Sequence, residues 1–259
     1  MSLQFPPTAG LTLPAIREDL RSRIKAEIAM AAPRVSWRTF VKKHFVWNSG
    51  EHVGLIGPTG QGKTTLLTEL LPLHKYVTVF ATKPRDRSMD ALIARGYTRM
   101  ERWRDIDPDK FPRRVVWPDA TRIDSDSHQK DVFLEAFGKI YREGRWVLAI
   151  DELAYFIEPL GLRKPIVTYL LQGRSLDISL LTAMQRPAWV PREIYTSCTH
   201  LFVYRFNESN DLRAVSDLSV THARLIADIV SNLSQFQALY INTRTGQMFR
   251  TTVERGTIK

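Results

Sequence analysis

The sequence predicts an α/β fold: a mostly parallel sheet with helices on both faces and a β-hairpin at its C-terminal end. Three observations predict it. Short apolar runs alternate with helical patterns along the chain, the order that crossover connections between parallel strands impose. One run, Val53, Leu55 and Ile56, feeds a glycine-rich loop from which a helix leaves. The last two runs flank Thr243-Arg244-Thr245-Gly246, a turn between antiparallel neighbours.

Residues 1–13 are proline-rich and read as an arm. A helix begins near Pro14, with Thr12 as its cap and proline in the first turn. Ile16, Leu20, Ile24 and Ile28 recur every four residues as an apolar stripe, with Arg17, Arg21 and Lys25 as a basic stripe beside it. That basic face is either solvated or docks on a neighbouring subunit or a nucleic acid. Strands are expected near His52–Ile56, Tyr76–Phe80, Arg114–Trp117, Trp146–Ile150, Ile178–Met184, Leu201–Phe206, Gln237–Asn242 and Gln247–Thr251. Helices fill 63–71, 88–95, 128–143, 152–158, 164–175, 210–217 and 221–231. No repeat, low-complexity tract or linker divides the chain. It reads as an N-terminal extension over 1–48 and one domain over 49–259.

At 259 residues, 44% hydrophobic and 25% charged, the chain has the composition of a globular domain and not of a disordered tail. No apolar run approaches the ~18 residues of a membrane span. Met1-Ser2-Leu3-Gln4-Phe5-Pro6-Pro7 has neither a basic nor an apolar segment, so no signal peptide is expected. The one cysteine, Cys198, excludes a disulfide framework and a cysteine zinc site, and fits a cytoplasmic protein. The net charge of +10 is uneven: residues 1–115 hold 20 Lys+Arg against 11 Asp+Glu, and 116–259 hold 17 against 16. Arginine outnumbers lysine 26 to 11, which favours bidentate phosphate contacts. A solvated basic surface and a polyanion-binding face both follow from these figures.

Gly57-Pro58-Thr59-Gly60-Gln61-Gly62-Lys63-Thr64 matches G-x-x-x-x-G-K-[ST] in full, between a strand and a helix that Pro72 stops. Its glycines let consecutive backbone N–H groups turn inward, an anion nest at a helix N-terminus that Thr65 extends. Lys63 would reach the β- and γ-phosphates of ATP, and the Thr64 hydroxyl would ligate Mg²⁺. Such a loop needs a carboxylate on a neighbouring strand. Trp146-Val147-Leu148-Ala149-Ile150-Asp151-Glu152 supplies two: Asp151 for the metal, through water, and Glu152 to deprotonate the attacking water. The paired acids argue for hydrolysis. Ile178 to Met184 reads as a buried strand ending in Gln185, an amide placed to bond the γ-phosphate or the water, or simply to cap a loop.

In order, these elements resemble the FtsK–HerA superfamily of P-loop ATPases, which includes chromosome pumps, conjugation ATPases and viral packaging motors. The resemblance spans roughly residues 50–250 and rests on Gly57–Thr64, Val77 to Pro84, Ile150-Asp151-Glu152, Leu171-Gln172-Gly173-Arg174 and Gln185-Arg186-Pro187. It departs at Ala81, where relatives commonly carry aspartate, and no DNA-reading winged helix is recognisable. The resemblance implies a RecA-like core of the compact packaging or plasmid-transfer kind, working in the cytoplasm or with a virion. It implies that Arg174 is an arginine finger given in trans to a neighbour's γ-phosphate, with Arg186 and Arg163 as competitors. A trans finger requires a ring, taken as a homo-hexamer.

Double-stranded DNA, bound without regard to sequence, is the expected partner, and a membrane-associated partner is compatible with the chain. Lys83-Pro84-Arg85-Asp86-Arg87 and Arg99-Met100-Glu101-Arg102-Trp103-Arg104 are candidate contacts, with Trp103 either stacking on a base or tucked into the core. The six histidines show no metal-ligand spacing, and His74 and His128 read as loop residues. The expected function is a DNA-translocating Mg²⁺-ATPase. The competing expectation is an ATP-gated assembly or morphogenesis protein that moves no DNA.

Overall fold

The computed structural model describes residues 13–187, 190–206, 208–216 and 223–258. Among these, nine strands form one sheet in the order β3-β4-β2-β5-β6-β1-β7-β8-β9. They are β1 (Val53–Ile56), β2 (Val77–Phe80), β3 (Thr98–Met100), β4 (Arg113–Val116), β5 (Val147–Ile150), β6 (Ser179–Met184), β7 (His200–Tyr204), β8 (Gln237–Asn242) and β9 (Met248–Thr252). Strands β1 to β7 run parallel, and β8 and β9 add the antiparallel hairpin. The interior strands β1, β2, β5, β6 and β7 are buried along their whole length, which explains their continuous apolar runs.

Ten helices accompany the sheet among the described residues: α1 (Leu13–Ala31), α2 (Trp37–Lys43), α3 (Lys63–Leu70), α4 (Arg87–Ala94), α5 (Asp126–Glu143), α6 (Leu153–Ile157), α7 (Arg163–Gln172), α8 (Arg192–Thr196), α9 (Ser209–Ser216) and α10 (Ala223–Ser231). On one face α5, α6, α7 and α10 pack Phe133, Phe137, Phe156, Tyr169 and Ile229 against the sheet. On the other, α2, α3 and α4 contribute Trp37, Phe40, Leu67, Leu70 and Leu92. The expected cap Thr12 lies outside the described residues, as do the side chains of Ile16, Arg17, Leu20 and Arg21. Ile28 is buried, Ile24 packs beside it and Lys25 is exposed.

Three elements escape the sequence pattern. Helix α2 is only seven residues long and is capped by the Ser36 hydroxyl, which accepts from the Thr39 N–H at 3.2 Å. Strand β3 has three residues at the sheet edge, and α8 has five. The helix expected over 164–175 ends at Gln172 and tightens into a 3₁₀ turn over Gly173–Leu176. His128, expected in a loop, sits in the first turn of α5. Trp103 belongs to the core: it is buried and packs edge-on to Trp146 at 5.5 Å. The guanidinium of Arg114, fully buried, lies 4.6 and 4.5 Å from these two indole rings and donates to the carbonyls of Ile106 and Phe111. Part of the basic excess is therefore structural.

Candidate nucleotide site

The parallel strands all point their C-terminal ends at one edge of the sheet, and the motifs meet there. Between β1 and α3, Gly62 adopts φ +97°, a left-handed turn that aims the N-terminus of α3 back at the loop. Gly57 is required for space: a Cβ there would sit 2.6 Å from Cβ of buried Tyr204 on β7. The loop walls a pocket of about 330 Å³, closed by Lys83, Asp151, Glu152, Gln185 and Phe236. That volume is at the lower end of the range for small-molecule sites.

Lys63 opens α3 and is buried, its Nζ donating to the carbonyls of Gly57 at 2.6 Å and Pro58 at 2.9 Å. Burial pulls its pKa below the ordinary lysine value, while Asp151 and Glu152 pull it back up. The Thr64 hydroxyl lies 3.0 Å from each oxygen of Asp151. Just past the end of the neighbouring β6, Gln185 bridges the site, accepting from the Thr59 hydroxyl at 2.8 Å and donating through Nε2 to Glu152. Burial raises the pKa of Asp151, against the Thr64 hydrogen bond and the Lys83 charge. Burial likewise raises that of Glu152, against its hydrogen bond to Gln185. Two under-solvated carboxylates therefore face a buried ammonium across a phosphate-sized cradle, a perturbed cluster of the kind that marks functional sites.

The structure thus brings together Thr59, Gly60, Gly62, Lys63, Thr64, Thr65, Asp151, Glu152 and Gln185. Gly57 and Pro58 serve through their carbonyls, while Gln61 lies in the same loop outside the pocket lining. Two lining residues were not expected at the nucleotide: Lys83, read from the sequence as a DNA contact, and Phe236. Lys83 lies 4.0 Å from Asp151 and 3.6 Å from Asp86. Its signal was its place just past β2, the strand paired with β5. Phe236 precedes β8 in a turn, and nothing in its local sequence marks it.

Arg174 is not in this cluster. It precedes β6, whereas Gln185 follows it, so the six-residue strand separates the two by about 20 Å. Arg174 is exposed. Its competitors are engaged within the chain: Arg163 pairs with Glu193, and Arg186 pairs with Glu208 and, at 2.7 Å, with buried Asp211. Among the described residues no cluster of three or more His, Cys, Asp or Glu could hold a metal ion. No described helix is long and apolar enough to cross a membrane.

No protein-family model and no curated protein matches the sequence. Solved structures do. The DNA-packaging ATPase B204 from Sulfolobus turreted icosahedral virus has a TM-score of 0.61 at 20% identity, over 80% of this chain and 100% of that one. The genome packaging NTPase B204 from Sulfolobus turreted icosahedral virus 2, in complex with AMP, gives 0.58 at 18% over the same shares. Its complex with ATP-gammaS gives 0.57 at 17%, again over 80% and 100%. The fold is that of a P-loop ATPase. The α/β, mostly parallel sheet with its terminal hairpin is as the sequence predicts.

Proposed function

We propose that this chain is a Mg²⁺-dependent ATPase that moves double-stranded DNA, packaging a viral genome or transferring a plasmid. The observation that carries it is the bridge from Thr59 of the phosphate loop through Gln185 to Glu152, beside the Thr64–Asp151 pair. Lys63, released from the loop carbonyls, binds the β- and γ-phosphates of ATP. The Glu152 carboxylate takes a proton from water as its oxygen bonds to the γ-phosphorus and the bond to the ADP oxygen breaks, giving ADP and phosphate. Its raised pKa makes it a stronger base than an ordinary glutamate, at the cost of losing activity earlier as pH falls. Gln185, bonded to both the loop and the base, couples the presence of nucleotide to the position of Glu152.

The donors present fit magnesium: a hydroxyl and a carboxylate, both hard oxygens. Thr64 and Asp151 would hold the ion, which when bound neutralises charge on the β- and γ-oxygens. Arg174, about 20 Å from its own cradle, is too far to serve it, which supports the trans finger; we take the ring that such a finger requires as a hexamer. The packaging role is brought by likeness to B204, named for genome packaging, and by a surface that keeps Arg85, Arg87, Arg95, Arg102 and Arg104 exposed. The soluble ring would work in the cytoplasm or on a virion, alone or beside a membrane-associated partner. The N-terminal 48 residues serve the domain over 49–259 as an extension.

The test is the ATPase rate with and without duplex DNA across a salt series. Stimulation that fades as salt rises is expected, because phosphate contacts release counterions. Turnover indifferent to DNA at every salt concentration would reject translocation and leave an ATP-gated assembly protein.

A further inference from the structure

We infer that Phe236 is the platform on which the purine base of a bound nucleotide stacks. The inference rests on the nucleotide reading above and deepens it. Because β8 runs antiparallel to β7, the turn before β8 lies at the same edge of the sheet as the phosphate loop. Phe236 sits in that turn with its Cδ1 3.5 Å from where a Cβ on Gly62 would be, in contact range of the loop. It is 49% exposed, and among the described side chains lining the pocket it is the one aromatic. A ring that large is normally withdrawn from water.

The backbone is committed to this pose. Phe236 holds φ +64°, a region that bulky residues enter at a cost and that tends to persist where function needs it. The turn is closed on itself: Gln237 N–H donates to the Ser234 carbonyl at 3.1 Å, and the Gln237 side-chain oxygen accepts from Ser234 N–H at 3.4 Å. Thr59, Lys63, Thr64 and Lys83 suit phosphates and have no complement for a flat π-surface. Stacking is tolerant of base identity, so the platform accepts any purine nucleoside triphosphate.

The experiment is equilibrium titration of the full chain, with Mg²⁺, using ADP and inorganic tripolyphosphate as probes. Phe236→Ala should weaken ADP binding about tenfold and leave tripolyphosphate binding unchanged. Phe236→Trp should keep ADP affinity, with an indole emission quenched by ADP but not by tripolyphosphate. Equal weakening for both probes, or for neither, overturns the platform. Failure of the wild-type protein to bind either probe would instead overturn the nucleotide reading on which it rests.

Discussion

The two ends of the sheet bury polar groups on opposite terms. Where the parallel strands begin, Glu51 accepts from Asn48 N–H at 3.0 Å, from Arg244 at 2.5 Å and, through His200 Nε2, at 3.1 Å. His200 completes itself on the Tyr240 hydroxyl at 2.9 Å, and His52 Nδ1 accepts from Leu180 N–H at 3.0 Å. Burial alone would raise the Glu51 pKa, yet these partners outweigh it and leave it lowered. Where the strands end, burial wins and the pKa values of Asp151 and Glu152 rise. A closed network lowers its own free energy and has no use for a ligand. An open one keeps charge that only a ligand's charge would satisfy.

The largest way to break that contrast is at the open end. Glu152→Gln keeps shape and hydrogen bonding to Gln185 but cannot take a proton, so turnover should fall roughly 10²–10⁴-fold with ATP binding retained. Hydrolysis at the wild-type rate would remove Glu152 as the base. Arg174 is the exception at the closed end: it lies near Gly50, whose absent Cβ would meet its backbone at 2.9 Å, yet its side chain joins no described ion pair. Arg174→Ala should lose turnover on the order of 10³-fold in the assembly while single subunits bind ATP normally. Mixing the two variants should restore part of the rate. A site with Glu152 from one subunit and Arg174 from the other is then whole. No recovery in mixtures would place the finger elsewhere.

How much of this was legible in the sequence depends on how far apart the partners lie. The phosphate loop is contiguous, and its strand and helix flank it directly, so Gly57 to Thr65 could be read at sight. Asp151 and Gln185 were legible because each ends an apolar strand, and parallel strands deliver their ends to one edge. The closed network was not, since Glu51 meets His200 and Arg244 across 149 and 193 residues. Trp103 illustrates the converse: its arginine neighbours suggested a nucleic-acid contact, but the fold turns the ring inward onto Trp146 and Arg114. Helix α2 was missed because its apolar stripe, Trp37, Phe40 and Val41, covers only seven residues, too short for a helical period to stand out.

The next effect is smaller and belongs to the closed end. Burial lowers the His52 pKa from 6.5 to about 4, and its Nδ1 must stay unprotonated to accept from Leu180. The unfolded chain therefore binds more protons between those values, and stability is full above 6.5 and falls as pH drops toward 4. The loss amounts to about 3 kcal/mol. Urea denaturation over that pH range should show the decline, and His52→Gln should flatten it. Equal slopes for both proteins would mean that the acid sensitivity arises elsewhere.

The smallest effect compares the ends directly, because one neutralising change should have opposite signs at each. Asp151 has a raised pKa, so the folded state holds its proton more tightly than the unfolded chain, and stability falls as pH rises through the shifted value. Asp151→Asn keeps an oxygen for Thr64 and removes the buried charge, so it should stabilise the protein at neutral pH by up to about 1 kcal/mol, with the gain vanishing in acid. Glu51 has a lowered pKa, and its stabilisation is present above the usual carboxylate range and lost below it. Glu51→Gln should therefore destabilise at neutral pH by about 1 kcal/mol and converge with wild type in acid. Thermal melts at two pH values measure both. If both variants shift the melting temperature in the same direction at neutral pH, the ends do not differ in the way their hydrogen bonds indicate. Opposite shifts would identify the strand-end carboxylates as charge held ready for a cation or a phosphate-bound metal, since a group kept only for the scaffold would not be improved by losing it.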